Sequence, residues 1–145
     1  MIGPYRLDAV LGRGGMGTVH AATVAEATPT APPVGTRVAV KVLHAHLAEE
    51  ASFVERFERE ARAGLAVHHP GVVRVLDVGK ADDGGALRPY LVMELVEGTP
   101  LSDVLGDLGK VPEGLARHIG REVARALAAI HEAGLVHRDV KPGNV

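Results

Sequence analysis

The sequence contains no cysteine and no tryptophan, has only two tyrosines and two phenylalanines, and has no apolar run near the roughly 20 residues that cross a bilayer. Without cysteine there is no disulfide, no thiol nucleophile and no thiolate zinc site, which suits a reducing cytoplasm, and a cytoplasmic location with no membrane segment is the expectation. So few aromatic rings cannot form a base-stacking platform. Charge of one sign is lacking too. Sixteen Lys and Arg stand against eighteen Asp and Glu, a net charge of −2, so neither a nucleic acid nor an anionic membrane is an expected partner. Residues Met1 to Gly15 have no apolar h-region and do not read as a signal peptide. Internal repeats and low-complexity tracts are also missing. What remains is ordinary globular composition: 145 residues, 46% hydrophobic and 23% charged, enough to bury about 70% of the unfolded chain's surface.

Period-2 patterning predicts strands over Arg6–Leu11 and Thr18–Val24, on either side of a glycine cluster at Gly12–Gly17. A proline-rich loop at Thr28–Gly35 leads to a β-branched third strand, Arg37–Leu43. Phe53, Phe57, Ala61 and Leu65 fall four apart and predict an amphipathic helix over Ser52–Val67, stopped by His69-Pro70-Gly71. Two further strands, Val72–Gly79 and Tyr90–Val96, are expected around the turn Asp82-Asp83-Gly84-Gly85. A short helix is predicted at Leu101–Leu108, with Thr99 as cap and Pro100 at its first position. A longer one is predicted from Pro112 to about Ala133, with Leu115, Ile119, Val123, Leu127 and Ile130 on one face and Gly134 as a left-handed stop.

Three motifs carry chemistry. Gly12-Arg13-Gly14-Gly15-Met16-Gly17-Thr18-Val19 fits G-x-G-x-x-G-x-V, in which missing side chains let backbone N–H groups approach phosphate oxygens. A dinucleotide fold would need a helix after the glycines, whereas a strand follows. A Walker A loop would need Lys where Thr18 stands. A plain hairpin turn remains open for this motif alone. In Val38-Ala39-Val40-Lys41, a lone cation sits on a strand of small apolar residues and wants an anion. Among Glu55, Glu58 and Glu60 of the helix, Glu60 borders the Phe53–Phe57–Ala61 face and is the expected ion-pair partner of Lys41. His137-Arg138-Asp139-Val140-Lys141-Pro142-Gly143-Asn144 fits H-R-D-x-K-x-x-N, whose five fixed residue types recur by chance about once in a million positions. The eight histidines suggest metal sites at His44-x-His46, His68-His69 and His131 with His137, but none has a ligating spacing and metal binding by histidine is not expected.

The three motifs, in this order and spacing, resemble the N-terminal half of a eukaryotic-type Ser/Thr protein kinase domain, most like bacterial receptor-type members, over essentially all of residues 3–145. Tyr5-Arg6-Leu7, His69-Pro70-Gly71-Val72-Val73 and Tyr90-Leu91-Val92-Met93-Glu94 are also similar to family segments. The resemblance implies an α+β, protein-kinase-like fold. Residues 1–96 would form an N-lobe and hinge, with a five-stranded antiparallel sheet and one helix, and residues 97–145 the start of a helical C-lobe with its catalytic loop. It implies ATP and Mg2+ as cofactors and a protein Ser or Thr hydroxyl as acceptor. By position, Gly12, Gly14 and Gly17 with Val19 would cover the nucleotide, Lys41 would bind its α and β phosphates, and Glu60 would orient Lys41. Ala39 would line the adenine pocket, Met93 matches the gatekeeper, and Glu94 and Val96 match hinge residues that meet the adenine edge through backbone groups. Asp139 matches the catalytic base, Lys141 the lysine that neutralises the transferring phosphoryl group, and Asn144 a magnesium ligand. His137 is expected to be structural.

Two departures stand out. His20 occupies the place of a family aromatic, and the sequence stops one residue after Asn144, before any Asp-Phe-Gly segment. The 145 residues alone are therefore expected to be inactive in phosphoryl transfer, because the principal magnesium carboxylate would be absent. A non-catalytic nucleotide-binding or regulatory fragment, engaging another kinase chain, stays open as an alternative. A small-molecule kinase fits the Lys141 and Asn144 spacing less well.

Overall fold

A computed structural model describes residues 1–145. The chain forms two compact units, residues 1–66 with 74–95, and residues 67–73 with 96–145.

The first unit is built on five antiparallel strands: β1 (Tyr5–Arg13), β2 (Gly17–Val24), β3 (Arg37–Leu43), β4 (Val75–Asp82) and β5 (Leu87–Glu94), in the order β1-β2-β3-β5-β4. Val38, Val40 and Val42 alternate along β3 and enter one apolar core with Ile2, Tyr5, Ala22, Val24, Tyr90 and Val92. The two edge strands meet. Tyr5 on β1 donates its hydroxyl to Asp77 Oδ2 on β4 at 2.6 Å. Flat strands four steps apart would lie about 19 Å from each other, so the sheet must coil strongly for one phenol to bridge its edges. Tyr90 packs edge-on against Tyr5, with ring centroids 5.6 Å apart. Burial and the bond to Asp77 raise the Tyr5 phenol above its ordinary range.

Strand boundaries near β4 and β5 differ from expectation. β4 begins and ends later than Val72–Gly79 and β5 begins and ends earlier than Tyr90–Val96; the turn between them is tight, closed by Asp83 N–H to Ala86 O (2.9 Å), with Gly84 and Gly85 at φ 73° and 95°. Pro89 lies inside β5. The structure tolerates it because β3–β5 pairing ends at Val42↔Tyr90, so Pro89 needs no donor toward β3. The Arg88 guanidinium takes over there, donating through Nε and Nη2 to Leu43 O at 3.1 and 2.7 Å.

A four-residue helix α1 (Ala45–Ala48) follows β3, and then α2 (Ala51–Gly64), with Phe57 and Ala61 buried. The helix stops three residues short of the expected Val67, with Leu65 already its C-cap. In the second unit α3 (Leu101–Leu108) and α4 (Glu113–Glu132) form as patterned. Their prolines sit one place earlier than expected. Pro100, not Thr99, is the N-cap of α3, and Pro112 caps α4, each with extended ψ, because φ fixed by the ring suits the residue that turns into a helix as well as the first one inside it. Gly134 takes φ 75° beyond α4, as its position predicted. No helix is long and apolar enough to cross a membrane.

Candidate active site

On the sheet, register brings together residues far apart in sequence. Gly12 pairs with Val19, Val19 with Lys41, and Lys41 with Leu91; one step along, Ala21 pairs with Ala39 and Ala39 with Met93. Directly opposed residues share a face, so Val19, Lys41, Ala39 and Met93 form one patch across three adjacent strands. It is the face opposite Val40 and Val92 of the apolar core.

Lys41 is half-buried in this patch and no carboxylate pairs with it. The expected Lys41–Glu60 pair is not formed: Glu60 accepts Arg56 Nε at 3.1 Å, a contact one helical turn away on α2. Glu58, on the same helix, is instead the residue that reaches the sheet, taking Lys80 Nζ at 2.6 Å. Glu94 engages Arg74 twice, through its N–H to Arg74 O (2.9 Å) and its carboxylate from Arg74 N (2.8 Å). Val96 is exposed and belongs to the second unit.

The glycines of the β1–β2 loop differ in what they permit. A Cβ on Gly17 would lie 2.4 Å from Val42 O, so this glycine is required by the fold. Around Gly12 nothing lies within 4 Å, and around Gly14 only Gly17 O at 3.8 Å, which leaves room for a ligand.

In the second unit, residues 137–144 fold on themselves. Asn144 Nδ2 donates to Asp139 O (2.8 Å) and to Asp139 Oδ2 (3.0 Å), and Lys141 Nζ lies 3.0 Å from the same Oδ2. These bonds, from Lys141 first and Asn144 second, hold the Asp139 carboxyl below its usual range. His137 Nδ1 accepts the Asp139 N–H at 3.3 Å, a structural task. Arg138 is the single non-glycine residue with positive φ, 62°; that conformation turns the chain sharply just before Asp139. Pro142–Asn144 form a 3₁₀ turn, and Val145 O accepts the Leu101 N–H at 2.8 Å, which ties the loop to the start of α3.

Sequence reasoning missed His44, whose ring touches the glycine loop, and Asp77, the buried edge clasp. Both contacts span 30 or more positions (|i−j| of 30 and 72) and left no local pattern to read.

A lysine on a strand patch beside an open glycine loop, and a loop that gathers aspartate, lysine and asparagine, are each features of a protein-kinase type of domain. The chain belongs to the protein kinase domain family, whose model matches residues 5–145. It is 44% identical over 99% of its length to the serine/threonine-protein kinase PksC of Streptomyces coelicolor and to the serine/threonine-protein kinase PknA of Mycobacterium tuberculosis. It spans 25% and 32% of those proteins, respectively. The crystal structure of the M. tuberculosis PknI kinase domain matches all of the chain with a TM-score of 0.76 at 31% identity, and the match covers 55% of that structure. Protein kinases use ATP and Mg2+.

Proposed function

We propose that residues 1–145 supply the nucleotide-covering sheet and the catalytic loop for ATP-dependent phosphoryl transfer to Ser or Thr hydroxyls of a protein substrate. The observation that carries this is the Asp139–Lys141–Asn144 cluster, in which one carboxylate oxygen receives both an ammonium and an amide. A carboxylate held this acidic stays ionised at neutral pH. It can therefore orient a substrate hydroxyl and accept its proton as the phosphoryl group departs through a loose transition state. Lys141 sits beside it to neutralise charge on the group in transfer.

For the nucleotide, Gly12, Gly14 and Gly17 with Val19 form the cover, and Lys41 takes the phosphates as the free cation of the patch. Ala39 and Met93 bound the adenine side, and Glu94 and Val96 would offer backbone groups to the adenine edge. Since the Glu94 N–H is engaged with Arg74, its carbonyl is the group left to do so. Glu60 would orient Lys41 after releasing Arg56, an exposed pair that costs little to break. The donor set fits Mg2+. Asn144 spends its Nδ2 on Asp139 and keeps Oδ1 as a hard oxygen, and Mg2+ commonly needs only one or two protein oxygens besides substrate phosphates. When bound, the ion would supply positive charge to neutralise the phosphates.

The test is a chimaera in which residues 1–145 replace the matching part of the M. tuberculosis PknA kinase domain. It is expected to phosphorylate a protein on Ser or Thr, and Asp139→Asn is expected to cut the rate by about 10²-fold or more. Transfer that survives Asp139→Asn or Lys41→Met at full rate overturns the reading. The 145-residue chain alone is expected to bind ATP.

A further inference from the structure

The glycine loop has little of its own to hold it: Gly14 and Gly15 carry no side chain, and no atom lies near enough to Gly15 to restrict one. Glycine-rich backbone of this kind gives up the most freedom on being ordered. Two bonds restrain it from outside, and both come from His44, the residue that follows β3. Its N–H donates to Met16 O at 3.0 Å, and its ring Nε2 lies 2.9 Å from Gly14 O. A carbonyl can only accept, so Nε2 carries the proton. His44 is also the N-cap of α1, where its carbonyl receives the N–H groups of Leu47 and Ala48, each at 3.0 Å. Its side chain makes no capping bond, because the ring turns away toward the loop and stacks on His46, with centroids 5.6 Å apart and planes 13° from parallel.

We propose that His44 is a positioning residue of the nucleotide site. Its ring clasps the Gly14 carbonyl, fixes the tip of the glycine loop before ligand arrives, and thereby tightens the hold on ATP. This deepens the ATP reading and rests on it. The physical basis is pre-organisation: a loop already ordered by the protein loses less freedom when it closes over phosphates.

Three variants separate the clasp from the cap. His44→Ala removes the ring, His44→Ser adds a side-chain N-cap that histidine does not provide but cannot reach Gly14, and His44→Gln returns an amide donor near the position of Nε2. Amide hydrogen exchange of the 145-residue chain without nucleotide is expected to speed up over residues 14–17 by about fivefold in the Ala and Ser variants, the factor one ordinary hydrogen bond carries, and to return toward wild type with Gln. Titration with ATP and Mg2+ is expected to show affinity falling in the same order. Exchange that does not change in the Ala and Ser variants overturns the clasp. Faster exchange with unmoved ATP affinity overturns the positioning role and leaves the ATP reading standing. A wild-type chain that binds no ATP overturns that reading, while the exchange measurement still decides the clasp.

Discussion

Gly17→Ala separates what the fold demands of the glycine loop from what a ligand demands. An added methyl would meet Val42 O at 2.4 Å, Val42 C at 3.1 Å and Leu43 Cα at 3.4 Å, all backbone atoms. Val42 cannot retreat, because it is paired to Thr18 on one side and Tyr90 on the other. Opening about 1 Å there strains or breaks one or two ladder bonds at about 1 kcal/mol each and adds an overpacking cost of about 1–3 kcal/mol. A loss of about 3 kcal/mol corresponds to a melting temperature lower by roughly 10 °C. Gly12→Ala, with open space around it, is expected to melt within about 1 °C of wild type yet to bind ATP more weakly, since the methyl occupies the approach to the phosphates. Thermal unfolding followed by circular dichroism, with a parallel ATP titration, reads both. If Gly17→Ala melts with wild type, or Gly12→Ala falls as far, the assignment of the two glycines to packing and to ligand approach is wrong.

Tyr5→Phe strands the buried Asp77 with only the Val78 N–H (2.9 Å) and is expected to cost about 1–3 kcal/mol in urea unfolding; the double variant with Asp77→Asn should lose less than the sum of the singles, and strict additivity would refute the clasp between sheet edges. His20 is half-buried near Arg88 and Arg13, and desolvation first, then these cations, lower its proton affinity in the folded state. The unfolded chain therefore binds the extra proton, so stability is full above about pH 6.5 and declines as pH falls through that value until the folded histidine also titrates. His20→Gln should flatten the urea midpoint between about pH 7 and pH 5, and an identical slope in wild type and variant counts against the shift. Lys41→Met, which breaks no ion pair, is expected to change stability by no more than about 0.5 kcal/mol while removing ATP binding; a large loss of stability would show that Lys41 has a structural partner.

The linear sequence determined what local chemistry can encode. Alternating β-branched residues set β3 to its last residue, four-residue apolar spacing set α2 and α4, and Gly134 beyond α4 took the left-handed conformation that other side chains resist. Asp139, Lys141 and Asn144 lie within six positions, so the loop brings them together by folding on itself without any long-range contact. Strand register near Pro89 was not legible, since a proline is forbidden or harmless according to whether a neighbouring strand needs its missing donor, and only the end of β3 pairing decides that. Tertiary structure also chose the ion-pair partners. On helical geometry alone Glu60 could face Lys41, but Arg56, one turn away, was closer at hand. It likewise brought Tyr5 to Asp77 and His44 to Gly14, contacts made by coiling of the sheet and by the turn after β3. Long-range hydrogen bonds leave no periodicity in a sequence, because their partners are chosen by the path of the backbone between them.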